Sequence, residues 1–359
     1  MRVAISTGGG DAPGLNAVIR AAVLGGLHRG WEMAGIEKGF GGLLGEADIV
    51  PLTAVDVRGI THRGGTILGT TNRGNPFQWP RQLPDGTWTE VDRSDEIVRA
   101  MSQQRLDALI VVGGDGTLRI ASRLCEKGVP IVGVPKTIDN DVGGTLLTFG
   151  FDTAVSNATD AIDKVHSTAE SHSRVMVVEL MGRYAGWIAL NAGLAGGADV
   201  ILIPEIPFDL DRVCEKIRRR EDAGRHFSII VVAEGAAPAD GARSVREAAV
   251  AGKAERLGGI AEDVARAIAE RTGKETRSLS LGHLQRGGSP TAFDRLLGLR
   301  FGAQAIRAVE GRRFGEMVSY DPPNVGTVSL ATALSIHKLV PLDGDAIQTA
   351  RDLDISLGD

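Results

Sequence analysis

Along the chain, short apolar runs rich in β-branched residues alternate with longer stretches whose apolar positions recur every three or four residues. Segments 3–6, 108–112, 130–134, 175–178, 200–203 and 229–233 read as buried strands. Segments 17–28, 117–127, 154–171, 209–220 and 259–271 read as helices between them. This β–α–β–α rhythm predicts an α/β fold of two lobes, each a mainly parallel sheet flanked by helices. At 359 residues the chain exceeds what one hydrophobic core supports, and the lobes are expected to exchange chain rather than lie in tandem. The stretch 75–91, with its Pro and Trp residues, reads as a surface excursion.

Composition narrows the function classes. Hydrophobic residues at 43% and charged residues at 24% are ordinary for a globular protein. A net charge of −5 provides no basic field for nucleic acid or a membrane surface, so an anionic ligand must be held by local Arg and Lys clusters. No apolar run approaches the roughly 20 residues that cross a bilayer, and the N-terminus does not read as a signal peptide. Cys125 and Cys214 lie far apart without metal-ligand spacing, which suits reduced thiols and a cytoplasmic setting. The 48 glycines are nearly twice the usual share of roughly 7%, and they cluster just after the strands. In an α/β protein those loops bring backbone close to phosphate.

Three such loops stand out. The first, Thr7-Gly8-Gly9-Gly10-Asp11, runs from a strand into a helix; it suits an anion at a helix N-terminus, or is simply a tight turn. The second is Gly113-Gly114-Asp115-Gly116-Thr117. A carboxylate among glycines there suits a metal that bridges phosphate oxygens, or Asp115 is a helix N-cap. In the third, Pro135-Lys136-Thr137-Ile138-Asp139-Asn140-Asp141, an extended backbone would set Thr137, Asp139 and Asp141 on one face. One carboxylate could then act as base beside the other, or both are solvated loop acids.

The second and third loops together resemble the phosphofructokinase family. Further matches are Arg174, the run Met181-Gly182-Arg183-Tyr184-Ala185-Gly186-Trp187, Glu275-Thr276-Arg277, and Gly282-His283-Leu284-Gln285-Arg286-Gly287-Gly288. The resemblance runs in order from Met1 to about Gly302 and is loose after Gly315. It implies a Mg²⁺-dependent transfer of phosphoryl from a donor to the C1 hydroxyl of fructose 6-phosphate. By resemblance Asp139 is the general base and Asp115 holds Mg²⁺ on the donor phosphates, with Asp141 assisting at the metal or in orienting the nucleophile. Gly9, Arg73 and Thr137 would touch the transferring group, Arg183 would offset its charge, and Gly10, Gly114, Gly116, Thr117 and Lys136 would line the donor site. The sugar phosphate would meet Arg174, Arg277, His283 and Arg286, with Met181, Gly182 and Glu234 along the sugar. As isolated residues, the arginines read equally as surface charges, His283 as a buried histidine and Met181 as core. In the family Arg174 and Arg277 come from a neighbouring subunit, which implies a homodimer or homotetramer with shared sites. The lobes would be 1–150 plus 284–315 for the donor and Mg²⁺, and 151–283 plus 316–359 for the sugar phosphate.

The donor is ATP or pyrophosphate. In the family that the loop of Gly116 resembles, glycine at this place goes with ATP and aspartate with pyrophosphate, since an aspartate would crowd and repel an α-phosphate. Lys136 goes with pyrophosphate, since an ammonium can retain a small donor by its terminal phosphate. Steric exclusion is harder to overcome than an added lysine, so ATP is the expected donor and reversible pyrophosphate-dependent transfer the alternative. Ile120 stands where familiar bacterial ATP enzymes carry glycine beside the adenine. Leu24 and Asp222-Ala223-Gly224-Arg225 leave an effector cage short of cations, so little effector control is expected. A catalytically dead sugar-phosphate sensor is the remaining reading, against which all three of Asp115, Asp139 and Asp141 are present.

Overall fold

The computed structural model describes all residues except 73, 242–243 and 248–255, and the side chains of 245–247 and 256. In chain order the elements are β1 (Arg2–Thr7), α1 (Leu15–His28), β2 (Glu32–Ile36), β3 (Ile49–Pro51), β4 (Trp79–Gln82), β5 (Trp88–Val91) and α2 (Ser94–Gln103). There follow β6 (Ala108–Gly113), α3 (Asp115–Glu126), β7 (Ile131–Pro135), α4 (Phe151–Ser171), β8 (Val175–Leu180), α5 (Trp187–Ala195), β9 (Val200–Leu202), α6 (Leu210–Asp222) and β10 (Ser228–Ala233). The chain ends with β11 (Val245–Glu247), β12 (Arg256–Leu257), α7 (Ile260–Thr272), β13 (Thr276–Ser280), α8 (Ala292–Glu310), β14 (Glu316–Asp321), β15 (Asn324–Ser329), α9 (Leu330–Leu334) and α10 (Asp345–Asp352).

Two sheets organise the molecule. The first has the order β15-β14-β7-β6-β1-β2-β3, parallel from β14 to β2 with an antiparallel strand at each edge. The second, β13-β8-β10-β9, is wholly parallel. The continuous apolar runs follow from burial on both faces. Within β6, Ile110 and Val112 pack into one core while Leu109 and Val111 pack into the core on the opposite face. In the second sheet, Val175 and Val177 face one core and Val178 and Leu180 the other. The excursion at 75–91 is an antiparallel hairpin of β4 and β5, preceded by a buried Phe77.

The C-terminal segment corrects the expected partition. The resemblance puts residues 316–329 in the sugar-phosphate lobe, yet β14 and β15 extend the first sheet beside β7. A hairpin that pairs with the edge of β7 satisfies its backbone there, whatever the sequence distance. Only the end of the chain returns to the second lobe. There Ile347, Ala350, Ile355 and Leu357 enter its core and Ser356 bridges Val200.

Helices α1 and α8 cover one face of the first sheet at backbone contact distance. A Cβ at Gly302 would lie 2.4 Å from the Val18 carbonyl oxygen and 2.8 Å from Ala21 Cβ. Backbone cannot yield as a flexible side chain does, so Gly302→Ala should cost about 1–3 kcal/mol through overpacking. It is expected to lower the thermal unfolding midpoint. The same change at Gly326, where a Cβ meets nothing within 4 Å, should leave the midpoint unchanged.

Candidate active site

The carboxyl ends of both parallel sheets supply the candidate residues. Loops after β1, β6 and β7 carry the three glycine- and acid-rich motifs, while those after β8, β10 and β13 carry Met181–Arg183, Glu234 and Gly282–Arg286. This is where α/β folds bind ligands, because helix N-termini and flexible loops meet there.

The glycines of the first two loops serve packing first. Gly8 N–H donates to the Val112 carbonyl at 2.9 Å and Gly9 N–H to the Thr71 carbonyl at 3.1 Å, so these donors are engaged within the protein. A Cβ at Gly8 would meet Thr117 Cγ2 at 2.9 Å, and one at Gly113 would meet Thr117 Cβ at 2.4 Å. Thr117 is therefore a key lodged between two loops, and glycine provides its room. Asp115 does not cap α3. Gly114 holds the N-cap position and Asp115 is the first helical residue, its carboxylate accepting from Arg119 Nε at 2.7 Å. Beside Gly116 the space is open, with nothing within 4 Å of where a Cβ would stand.

The loop after β7 bends instead of running extended. Thr137 Oγ1 accepts from the Asp139 N–H at 3.1 Å, and Asn140 takes a left-handed backbone at φ 53°. Asparagine tolerates that conformation better than most residues. The bend still buries Ile138, Asn140 and Val142 while Thr137, Asp139 and Asp141 keep solvent contact. Asp139 Oδ1 is buried without a hydrogen-bond partner. Desolvation holds the Asp139 carboxyl above the usual carboxylate range, against the opposing charges of Arg286, Lys136 and Arg183. Asp141 is raised for the same reason, with the neighbouring Asp139 charge adding to it.

Around this pair lie the other candidates. Lys136 is 3% exposed and its Nζ donates to the Gly10 carbonyl oxygen. Arg286 Nη1 donates to the Asp11 carbonyl at 3.0 Å and lines the same cleft as Lys136 and Gly10. Glu234 follows β10 and is pushed up to about 7, by desolvation first and by the Asp139 charge second. Arg183 acts electrostatically on both Asp139 and Glu234. The Met181 side chain packs on the second-lobe core, and its N–H donates to the buried Gln285 side chain at 3.2 Å. Gly182 needs φ 142° and backs onto the Ala185 carbonyl. His283 is exposed, which excludes the buried-histidine reading.

Two expected residues stand apart. Arg174 precedes β8 and Arg277 lies at the start of β13, so both occupy the opposite edge of the second sheet from Met181 and His283. Six residues at about 3.3 Å each put roughly 20 Å between the two edges. There both guanidiniums grip one oxygen of Glu275, at 2.8 Å from Arg174 and 2.6 Å from Arg277. Arg73 lies outside the described residues.

A cleft of about 580 Å³ runs from Gly9, Gly10, Lys136 and Arg286 past Gly116 to Phe40, Asn75, Ile120 and Arg123. At its far end the Arg123 guanidinium lies 3.6 Å from the Phe77 ring centroid. Residues 2–309 match the phosphofructokinase family.

The chain belongs to the phosphofructokinase family.

It is 52% identical over its whole length to ATP-dependent 6-phosphofructokinase of Chloroflexus aurantiacus, 98% of which is covered. It is also 51% identical over 344 residues to pyrophosphate–fructose 6-phosphate 1-phosphotransferase of Amycolatopsis methanolica, covering 95% of this chain and 96% of that protein. The structure of phosphofructokinase from Saccharomyces cerevisiae superposes on all of this chain with a TM-score of 0.78 at 32% identity, and the chain spans 48% of that longer one.

The tail of this phosphofructokinase-family chain supplies a cleft wall that motif reading missed. His337, Lys338 and Leu339 face Asp115, Gly116, Thr137, Asp141 and Tyr184 across a second cavity of about 680 Å³. No local sequence signal marks these residues, because they reach the cleft only through the path of the tail. Among the described residues, no three His, Cys, Asp or Glu side chains group to hold a metal by themselves.

Burial lowers the Lys136 pKa from 10.5 to about 7, with the positive charge of Arg286 adding to the effect. The folded state therefore holds this proton less tightly than the unfolded chain does. This stabilising contribution is present above the unfolded value and lost as pH falls through about 7. Lys136→Met removes the buried charge. Its unfolding midpoint relative to the parent should improve as pH is lowered from about 9 to about 7 and level off below that. A difference that does not vary with pH over that range would show that Lys136 is not strained by burial.

Proposed function

We propose that the chain is an ATP-dependent 6-phosphofructokinase that transfers phosphoryl from ATP to the C1 hydroxyl of fructose 6-phosphate. The observation that carries this reading is Asp139. It lies two residues beyond the cleft-lining Thr137, with one buried oxygen unpartnered, raised basicity and three cations acting on it. Such a group accepts a hydroxyl proton near neutral pH better than an ordinary aspartate. Lys136, Arg183 and Arg286 supply positive charge where the transferring group gains negative charge, and their fixed positions lower the reorganisation needed. Thr137 and the loop around Gly9 would border the transferring group.

Mg²⁺ fits the donor set present. The half-exposed Asp115, with no protein-only cage among the described residues, suits an ion that keeps several waters and takes its other ligands from substrate phosphates. When bound, the ion would offset donor phosphate charge. ATP is favoured by the open space at Gly116 and by a cleft that continues past it to Ile120 and Arg123, longer than pyrophosphate requires. The buried Lys136 and the Amycolatopsis methanolica relative favour pyrophosphate as the second reading.

The position of Arg174 and Arg277 supports a shared site. They cannot reach Asp139 of their own chain across the second sheet, so a second copy would present them to the sugar phosphate, opposite His283 and Arg286. A cytoplasmic setting belongs to the same reading, supported by two unpaired cysteines. Among the described residues no helix is long and apolar enough to cross a membrane.

Initial rates with fructose 6-phosphate, Mg²⁺ and either ATP or pyrophosphate test the donor, and Asp139→Ala tests the base. ATP should serve, and the variant should lose about 10²–10⁴-fold in turnover while still binding the sugar phosphate. Activity with pyrophosphate alone would reverse the donor assignment, and undiminished turnover would remove Asp139 as base. Mixing inactive Asp139→Ala with inactive Arg277→Ala subunits should restore part of the activity. No recovery after subunit exchange would refute the shared site.

A further inference from the structure

We propose that Lys338 is a positioning residue for catalysis, which sets the loop of Asp139 and Asp141 by clamping Asn140 from the C-terminal tail. This rests on the reading of Asp139 as the base. The Lys338 ammonium donates to Asn140 Oδ1 at 2.7 Å and to the Leu146 carbonyl oxygen. The same Oδ1 accepts the Thr148 N–H at 3.1 Å, and Thr148 Oγ1 donates to the Thr137 carbonyl at 2.7 Å. Asn140 is 2% exposed and left-handed, so its side chain is the handle by which the bend between the two acids is held.

The clamp is itself anchored. His337 pairs with Val142, Trp187 Nε1 donates to the Lys338 carbonyl at 3.1 Å, and Val340 N–H donates to Glu205 at 2.9 Å. Glu205 also accepts the Gly186 N–H, at the start of the helix that follows Arg183. Residues 337–340 thus stitch the acidic loop of the first sheet to the α5 region of the second. Among the described residues no carboxylate lies within ion-pair distance of Lys338. Its partners are an amide oxygen, a carbonyl oxygen and the Trp187 ring 5.8 Å away. The Asp141 charge favours the ammonium only from beyond ion-pair distance. This ammonium instead orients neutral acceptors at the catalytic loop, and charge-assisted hydrogen bonds of that kind are the stronger ones.

The test compares Lys338→Met, Lys338→Gln, Asn140→Ala and the Lys338→Met/Asn140→Ala double variant in the full chain, with Mg²⁺, ATP and fructose 6-phosphate. Misplacing a base by about 1 Å costs roughly 10²-fold. Lys338→Met should therefore lower kcat by roughly 10- to 100-fold. KM for fructose 6-phosphate should hold within about threefold, because the sugar-phosphate contacts are elsewhere. Lys338→Gln, which keeps a donor without the charge, should fall between the parent and Lys338→Met. The double variant should be no slower than the slower single, since both changes cut the same link. Retained kcat in Lys338→Met, or losses that multiply in the double variant, would overturn the proposal. If Lys338→Met does not fold, the same criteria apply to Lys338→Gln alone and in the double. Asp139→Ala is run alongside. Full turnover in that variant overturns the base and this inference with it, whereas an inactive Asp139→Ala beside an unaffected Lys338→Met overturns the inference alone.

Discussion

Two carboxyls held close together in protein surroundings cost free energy, and the candidate site is organised around that cost. Asp139 and Asp141 are both raised by desolvation, and Asp141 is disfavoured further by the charge of Asp139. Arg286, Lys136 and Arg183 offset the cost at Asp139, yet Lys136 is itself disfavoured by burial, and Arg286 opposes it. An arrangement in which Asp139, Asp141 and Lys136 are all disfavoured by desolvation is poorly suited to stability alone. It is well suited to receiving a polyanion, because donor phosphates and their cation complete the charge balance.

Such a site requires backbone segments from two sheets to approach closely. Thr117 lodges between the loops after β1 and β6, where Cβ atoms at Gly8 or Gly113 would collide with it. In the second lobe, a Cβ at Gly235 would stand 2.0 Å from the Arg183 carbonyl oxygen, which brings the loop of Glu234 against that of Arg183. Buried Glu179 supports this side. It caps α7 by accepting the Gly259 and Ala261 N–H groups, and it takes Ser280 Oγ, which fixes the approach to Gly282 and His283. The glycine excess therefore reflects interlocking loops more than phosphate-binding amides.

The lobes are joined by chain crossings rather than by a hinge of one linker. Helix α8 returns to pack on α1, β14 and β15 extend the first sheet, and the last residues enter the second core. Residues 337–340 run between the lobes beside Asp141. Any relative motion of the sheets would thus act directly on the acidic loop, which gives the tail a part in the site that its irregular backbone does not advertise.

Much of this was legible in the residues themselves. Buried parallel strands declare themselves as β-branched runs because both faces are covered, and helices such as α3 and α6 show a clear apolar stripe. The order of Gly113–Thr117, Lys136–Asp141 and His283–Arg286 is enough to point to the family, since these loops must follow strands to meet a phosphate. Other elements were silent. Helix α5 is apolar on nearly every side, so it has no helical period to read, and α8 mixes arginines with glycines that only contact with α1 explains. Chain order could not show that 316–329 joins the first sheet, or that Arg174 and Arg277 lie at the far edge of the second. Nor could it show that Lys338 meets Asn140 across 198 positions. Local sequence determines which strand and loop a residue occupies. The tertiary path determines which charges share a low-dielectric cleft, because that depends on distance through space and not along the chain.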